Sequence, residues 1–170
     1  MVSIKSSTDL AKMREAGQIA GRALKLAGES IKAGMTTKAL DKIIHDFIVG
    51  CGAIPSFLNY GGFPGSACIS INNEVIHGIP SHKKRIAEGD IVSVDVGAFY
   101  NGFHGDTCAT FAVGKISEEA KELLKVTEES LYEGIRAAQV GARLGDVGHA
   151  VEEYCSCLLY TSPSPRDLST

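Results

Sequence analysis

Two aspartates, Asp95 and Asp106, lie in a stretch whose valine, threonine and phenylalanine content favours β-strands. Between them stands Asn-Gly at positions 101–102, the preferred pair for a two-residue type I′ hairpin turn. With that turn, we expect antiparallel pairing of Gly97 with Asp106 and of Asp95 with Cys108. The sequence therefore predicts a β-hairpin that carries one acidic side chain on each strand.

The two carboxylates should lie on the same face of that hairpin. Side chains alternate along a strand, so Asp95 shares a face with Gly97 and therefore with Asp106, the partner of Gly97. Diagonal neighbours of this kind lie ~7–8 Å apart at the backbone and closer at the Cβ atoms. Such a pair could bind divalent cations; without a cation the charges repel, and the pKa of one should rise. The alternatives are a solvated acidic pair on an exposed sheet face, or a three-residue loop that separates the carboxylates.

Composition places the chain among ordinary globular proteins. Of its 170 residues, 44% are hydrophobic and 22% are charged, and the formal net charge is −3. That charge gives no reason to expect nucleic acid or an anionic membrane as partner, and no apolar stretch reaches the ~20 residues of a membrane span. No apolar signal region is visible near the N-terminus, and the five cysteines are expected as reduced thiols. These features predict a soluble cytoplasmic protein.

The spacing of apolar residues predicts helices on both sides of a strand region. Residues 9–33 form an amphipathic helical pattern that Gly34 should end, and a second helix should end at Gly50. Residues 65–76 and 90–113 are instead rich in valine, isoleucine, threonine and phenylalanine. We expect those two segments to supply the strands that position the aspartates.

A second helix pair follows the strands and repeats the first. Residues 118–139 regain helical period with Ser117 as the expected N-cap. A fourth helix is indicated by Val147, Val151 and Tyr154. A shift of 107 residues places Gly34 on Gly141 and aligns the apolar positions of the two pairs. By that shift, strands matching those of the first half would begin near residue 172, beyond the printed sequence.

The C-terminal residues differ in composition from the rest. We expect a partial catalytic domain over residues 1–155 and a non-native or disordered tail over residues 156–170. The tail is rich in serine and proline, without amphipathic period. Its sequence CLLYTSPSPRDLST is similar to translated sequencing-adapter read-through rather than to a natural segment.

Three stretches together carry a family pattern. They are Asp95-Val-Gly followed by GFHGDT at 102–107, CISINNEVIHGIP at 68–80, and PSFLNYGGFP at 55–64. Over residues 4–155 the chain resembles the type I methionine aminopeptidases, pita-bread metallopeptidases of family M24. The resemblance implies an α+β pita-bread (creatinase/aminopeptidase) fold, with the first α/β half and the helices of the second half present and the remainder missing.

The resemblance also implies an activity and a set of site residues. The family removes the N-terminal methionine from nascent proteins with two divalent metal ions, for which cobalt, manganese, iron and zinc are candidates. In the family pattern, Asp95 ligates one metal and Asp106 bridges both. His77 would be catalytic through a hydrogen bond to the substrate or tetrahedral intermediate; apart from the family, it reads as a histidine in a strand-end loop. The substrate pocket for methionine would comprise His77, Tyr60, Phe63 and Cys68.

The family completes its metal shell with a histidine and two glutamates from the second half, and this chain lacks them. The candidates after Asp106 match none of the family motifs; they are His149, Glu152 and Glu153. We therefore expect a methionine aminopeptidase as the full-length parent and an inactive chain as printed. His104 is given no role, and the three remaining histidines, His45, His82 and His149, are expected at the surface.

Other readings stay open beside this one. An aminopeptidase P or prolidase-like peptidase shares the paired aspartates, and a non-catalytic pita-bread binding protein or a short scaffold would use the hairpin structurally. For the favoured reading, the expected partners are nascent peptides and, as a candidate, the ribosome. We expect no nucleic-acid requirement, no membrane, a cytoplasmic location and a monomeric full-length protein.

Overall fold

The structure, a computed structural model, describes residues 3–158. They fall into two units that divide between Ile116 and Ser117, and each unit is described by itself. No helix among the described residues is both long and apolar enough to cross a lipid bilayer.

The first unit opens with two helices whose starts are fixed by side-chain caps. In α1 (Ser7–Ser30), the Ser6 hydroxyl accepts from the Asp9 amide at 3.1 Å, and the Asp9 carboxylate accepts from the Ser6 amide at 3.0 Å. This reciprocal capping box satisfies amides that the helix leaves unpaired. In α2 (Thr37–Gly50), the hydroxyl of Thr36 caps the first turn. Both predicted helices are thereby confirmed.

Four strands form one antiparallel sheet around a long central strand. They are β1 (Ile54–Pro55), β2 (Ala67–Ile71), β3 (Ile91–Tyr100) and β4 (Phe103–Ala112). β4 pairs with β3 along its whole length, and β1 and β2 pair end to end along the other edge of β3. The predicted strand at 65–76 was too long, because the backbone turns at Asn72 with φ +53°. The two-residue β1 was not predicted.

Helices α1 and α2 cover one face of this sheet. Alternate residues of β3 are buried beneath them, together with one face of α2: Val92, Val94, Val96, Ala98, Leu40, Ile44 and Ile48. α1 approaches β4 so closely that a Cβ at Gly105 would lie 2.3 Å from the Ala16 carbonyl oxygen. The helix layer therefore fixes which face of β3 and β4 stays open, and the open face carries the aspartates.

The second unit is a pair of helices that pack against each other, α3 (Glu118–Ala137) and α4 (Leu144–Cys157). Ser117 caps α3 as predicted, with its hydroxyl 3.1 Å from the Ala120 amide. The helices contact each other through Gly134, and the Tyr154 hydroxyl donates to the carboxylate of Glu129 at 2.7 Å. α4 runs past Cys155 to Cys157, where the sequence shows no helical period; the tail after residue 158 lies outside the described residues.

The predicted 107-residue repeat is visible in the helix boundaries. α1 ends at Ser30 and α3 at Ala137, while α2 spans Thr37–Gly50 and α4 spans Leu144–Cys157. Each of these boundaries is offset by 107 residues. Gly34 and Gly141 are offset equally, and both adopt left-handed backbone angles, φ +85° and +91°. The repeat is therefore structural as well as compositional.

Candidate metal centre

The hairpin that carries the aspartates has the predicted register. Gly97 pairs with Asp106 and Asp95 pairs with Cys108. The turn at 101–102 has φ +50° at the asparagine and +87° at the glycine, the positive pair that a type I′ turn requires. The prediction of same-face carboxylates is confirmed, since antiparallel partners share a face and Asp95 lies two residues from Gly97.

The shared face is the one turned away from the helices. Val94 and Val96, which flank Asp95, are fully buried beneath α1 and α2, whereas Asp95 is half-buried and Asp106 is exposed. The hairpin is therefore fully buried on its helix side and only partly covered on the side that carries the aspartates. An open acidic face of this kind leaves room for an ion or a ligand above the sheet.

Asp95 experiences an electrostatic penalty in this position. Burial, followed by the negative charge of Asp106, raises the pKa of Asp95 to about 6. The positive charge that His77 can carry opposes this shift in pKa only in part. A divalent cation would reverse the penalty, because an adjacent positive charge favours the ionised carboxylate.

One atom of the pair also lacks a partner. Oδ1 of Asp95 is buried and accepts no hydrogen bond from any residue in the described range 3–158. Buried polar atoms are normally satisfied, so such an atom calls for a ligand. Carboxylate oxygens suit hard divalent ions. The donor set thus fits part of a metal site.

The described residues do not complete that site. Between residues 3 and 158 there is no group of three or more His, Cys, Asp or Glu side chains arranged to hold an ion. Structural and catalytic metal sites generally use three or more protein ligands. Asp95 and Asp106 therefore constitute one portion of a coordination shell.

Two cysteine thiols flank Asp95, one on each neighbouring strand. Of these two neighbours, the sequence predicted only Cys108. Cys68 in β2 and Cys108 in β4 are both direct partners of Asp95. Burial and then the charge of Asp95 raise the pKa of Cys68 to about 11; burial, followed by Asp95 and Asp106, raises the pKa of Cys108. Both thiols are therefore kept protonated at neutral pH. The pairing of β2 with β3 has no local turn signal, so the position of Cys68 could not be derived from the sequence.

A largely apolar cavity of about 410 Å³ opens beside Asp95. Its lining includes the four residues predicted for the substrate pocket, Tyr60, Phe63, Cys68 and His77, and adds three others, Phe57, Gly61 and Asp95. Phe57 and Gly61 belong to the same 55–64 segment as Tyr60 and Phe63, which was the available signal for them. The structure thus brings the predicted pocket residues and one predicted metal ligand together.

A second, smaller cavity of about 190 Å³ opens beside Asp106. It shares Phe57 and Tyr60 with the first cavity, so the two cavities are neighbours. Gly97 is needed here because an added Cβ would lie 2.8 Å from the Phe57 ring. His104, to which the sequence assigned no role, lines this cavity, and its Nδ1 lies 2.9 Å from a serine hydroxyl.

His77 is held at the cavity in an uncommon backbone conformation. Its φ is +58°, in the left-handed region that non-glycine residues seldom adopt. The backbone of the next residue, Gly78, anchors this conformation. The Gly78 amide donates to the Ser70 hydroxyl at 3.0 Å, and the Gly78 carbonyl accepts from the Ile69 amide at 2.8 Å. A Cβ at Gly78 would lie 2.1 Å from the Ile69 oxygen, so only glycine fits. Strain maintained by such anchors is typical of functional positions.

Three other histidines were expected at the surface. His82 and His149 are exposed, as predicted. His45 is not: it is half-buried on α2, and its Nδ1 lies 2.8 Å from the Ser66 hydroxyl. The sequence prediction failed there because α2 presents polar residues, as well as apolar ones, to the sheet.

Comparison with known proteins finds similar sequences and similar structures that carry the same name. The chain is 51% identical over 160 residues to the methionine aminopeptidase of Clostridium acetobutylicum, an alignment that covers 94% of this chain and 64% of that protein. The crystal structure of methionine aminopeptidase from Thermotoga maritima superimposes with a TM-score of 0.90 at 39% identity, covering 93% of this chain and 64% of that one. The chain therefore spans less than two thirds of the length of each of these two relatives.

More distant structures share the fold. Prolidase from Pyrococcus furiosus matches with a TM-score of 0.80 at 24% identity. That level of identity supports the common architecture alone, a partial pita-bread fold, and does not favour a prolidase. The sequence profile of Metallopeptidase family M24 aligns with residues 11–161, nearly the whole printed sequence, and the chain accordingly belongs to that family.

Proposed function

We propose that this chain is part of a methionine aminopeptidase, a metal-dependent hydrolase that removes the N-terminal methionine from nascent proteins. The observation that carries the proposal is the apolar cavity of about 410 Å³ whose wall includes Asp95. A substrate side chain in that cavity would place its own backbone beside the acidic face. The relatives named methionine aminopeptidase support this reading over a prolidase or a binding protein.

The cavity lining suits a thioether. Phe57, Tyr60 and Phe63 supply ring surfaces, and Cys68 supplies a polarizable sulfur that stays protonated because its pKa is raised. Methionine sulfur packs favourably against aromatic rings, by ~0.3–1.5 kcal/mol for each contact. An unbranched side chain with flexible torsions also fits an irregular apolar pocket. These features favour methionine over charged or β-branched residues.

Asp95 and Asp106 are the residues that would hold divalent metal. Two ions, with cobalt, manganese, iron and zinc as candidates, would supply a water of lowered pKa as nucleophile when bound. His77, anchored through Gly78 beside the same cavity, is proposed to donate a hydrogen bond to the substrate carbonyl. Such a donor stabilises negative charge that develops on that oxygen during hydrolysis.

The printed chain itself is proposed to be inactive, since two carboxylates are too few to hold catalytic metals firmly. The catalytic-domain portion is proposed to be residues 1–155, with residues 156–170 outside it. In cells we propose a cytoplasmic, monomeric full-length enzyme that acts on nascent chains, with the ribosome as a partner and with no nucleic-acid requirement.

Binding of small amides to the metal-free chain tests the pocket. We expect L-methioninamide to shift the amide NMR signals of Phe63 and Cys68, and L-lysinamide and the dipeptide Ala-Pro to leave them unchanged. Phe63→Ala should abolish the shifts. Phe103→Ala, which truncates a half-buried ring outside the cavity lining, is the matched control and should preserve them. Tighter binding of Ala-Pro than of methioninamide would contradict the proposal and favour a prolidase-like enzyme.

A further inference from the structure

A row of polar side chains runs along the buried side of α2. Thr37, Asp41 and His45 are four residues apart, so they lie on one face of the helix. Thr37 is fully buried and Asp41 is 3% exposed, while His45 is half-buried. Burying polar groups costs free energy unless each is hydrogen-bonded. The polar stripe, as these three residues are called below, must therefore have partners.

Asp41 holds the start of β2. Its Oδ1 accepts from the backbone amides of Ser66 at 2.7 Å and Ala67 at 3.1 Å. Its Oδ2 accepts from Lys38 Nζ at 2.8 Å, which compensates the buried charge. Ala67 is the first residue of β2, and the next residue is the cavity thiol Cys68. A charged acceptor thus fixes the strand one residue before the cavity wall.

The other two members of the stripe act on neighbouring backbone. The Thr37 hydroxyl accepts from the Ser81 amide at 2.9 Å and lies 3.3 Å from the Ser81 carbonyl oxygen, to which it can donate. Ser81 follows His77 by four residues, and the intervening Gly78 is itself hydrogen-bonded to β2. His45 Nδ1 lies 2.8 Å from the hydroxyl of Ser66, so it supports the segment that Asp41 holds.

The bonded segments carry two different parts of the cavity wall. The Ser66 end leads to Cys68, and the Ser81 end leads back to His77. An apolar helix face would bury the same area without these bonds, as Leu40 and Ile44 do on the adjacent stripe of α2. The hydrogen bonds restrict the orientation of the backbone segments as well as burying the helix face, because a hydrogen bond weakens steeply with misalignment.

We propose that Thr37, Asp41 and His45 are positioning residues that set the distance between the Cys68 and His77 walls of the cavity. The inference rests on the proposed function for the identity of the ligand, methionine, but not for the positioning itself. None of the three residues lines either cavity. Their effect on binding would therefore be exerted through the segments that they hold.

The test uses the full 170-residue chain and hydrogen exchange read by NMR. Asp41→Asn should accelerate exchange of the Ala67 and Cys68 amides by about tenfold or more, while the β3–β4 amides keep their protection. Asp46→Asn is the matched control, because Asp46 pairs with Lys42 on the exposed side of the same helix. Equal acceleration in both strands of the hairpin would show general loosening and overturn the proposal, as would unchanged exchange at Ala67.

Ligand affinity supplies a second readout. Thr37→Val should weaken binding of L-methioninamide by about fivefold or more, and Thr37→Ser, which restores the hydroxyl, should recover it. Equal affinity of the Val and Ser variants would overturn the positioning role of Thr37. If the unmodified chain binds no methioninamide, the proposed function fails, and the exchange measurements still decide the positioning proposal independently.

Discussion

Replacing Asp95 with asparagine should make the metal-free chain more stable at neutral pH. The pKa of Asp95 is raised from 3.8 to about 6 by burial and by Asp106. At ~1.36 kcal/mol for each pKa unit, that shift corresponds to about 3 kcal/mol of destabilisation when the group is ionised. Asp95 is only half-buried, so solvent screening reduces the expected gain to about 1–2 kcal/mol.

The gain should depend on pH in a defined direction. The folded-state pKa of Asp95 lies above the unfolded value, so its favourable contribution is fully present below 3.8 and is lost as pH rises through about 6. The difference in unfolding free energy between Asp95→Asn and the unmodified chain should therefore be greatest at neutral pH and small near pH 4. Titrations of groups that do not interact with Asp95 cancel in this difference.

The assay is urea unfolding followed by circular dichroism, with chelator present, at about pH 4, 5.5 and 7. Asp46→Asn is the control, since Asp46 is an exposed residue paired with Lys42, and its effect should stay within about 0.5 kcal/mol at each pH. An Asp95→Asn variant that is less stable than the parent at neutral pH, or whose gain is equal at all three pH values, would refute the reasoning.

Three more outcomes follow from the same structure. Gly105→Ala should cost about 1–3 kcal/mol in urea unfolding, because the new Cβ meets the Ala16 backbone at 2.3 Å, whereas Gly17→Ala meets nothing within 4 Å and should be neutral or stabilising. Gly102→Ala should cost about 1 kcal/mol in the same assay, because position 102 has φ +87°. With cobalt or manganese, the purified chain should release no methionine from a Met-Gly peptide by chromatography; release would contradict its proposed inactivity.

Local signals were sufficient for the hairpin. Asn-Gly at 101–102 determines the turn, the turn determines the register, and strand alternation then places Asp95 and Asp106 on one face. Likewise, apolar spacing and capping residues such as Ser117 predicted the helices. In each case the determining residues are close in sequence, so the hairpin and the helices can be predicted without knowledge of the tertiary contacts.

Contacts between segments that are distant in the chain could not be predicted from such local sequence signals. The row formed by Cys68, Asp95 and Cys108 depends on how β2 pairs with β3, and no tight turn sets that register. The end of β2 at Ile71 depends on a left-handed residue, Asn72, where the composition still favours a strand. His45 was misplaced for a similar reason, because its partner Ser66 is 21 residues away.

Paramagnetic NMR with Mn²⁺ tests most directly whether Asp95 and Asp106 form part of a metal site. With carbon-13-labelled chain, low Mn²⁺ concentrations should broaden the carboxyl signals of these two residues first, with weak affinity, roughly millimolar, because only two carboxylates contribute. Asp106→Asn should remove most of that broadening. Broadening that centres on other acidic residues, or that persists when both aspartates are replaced by asparagine, would contradict the account.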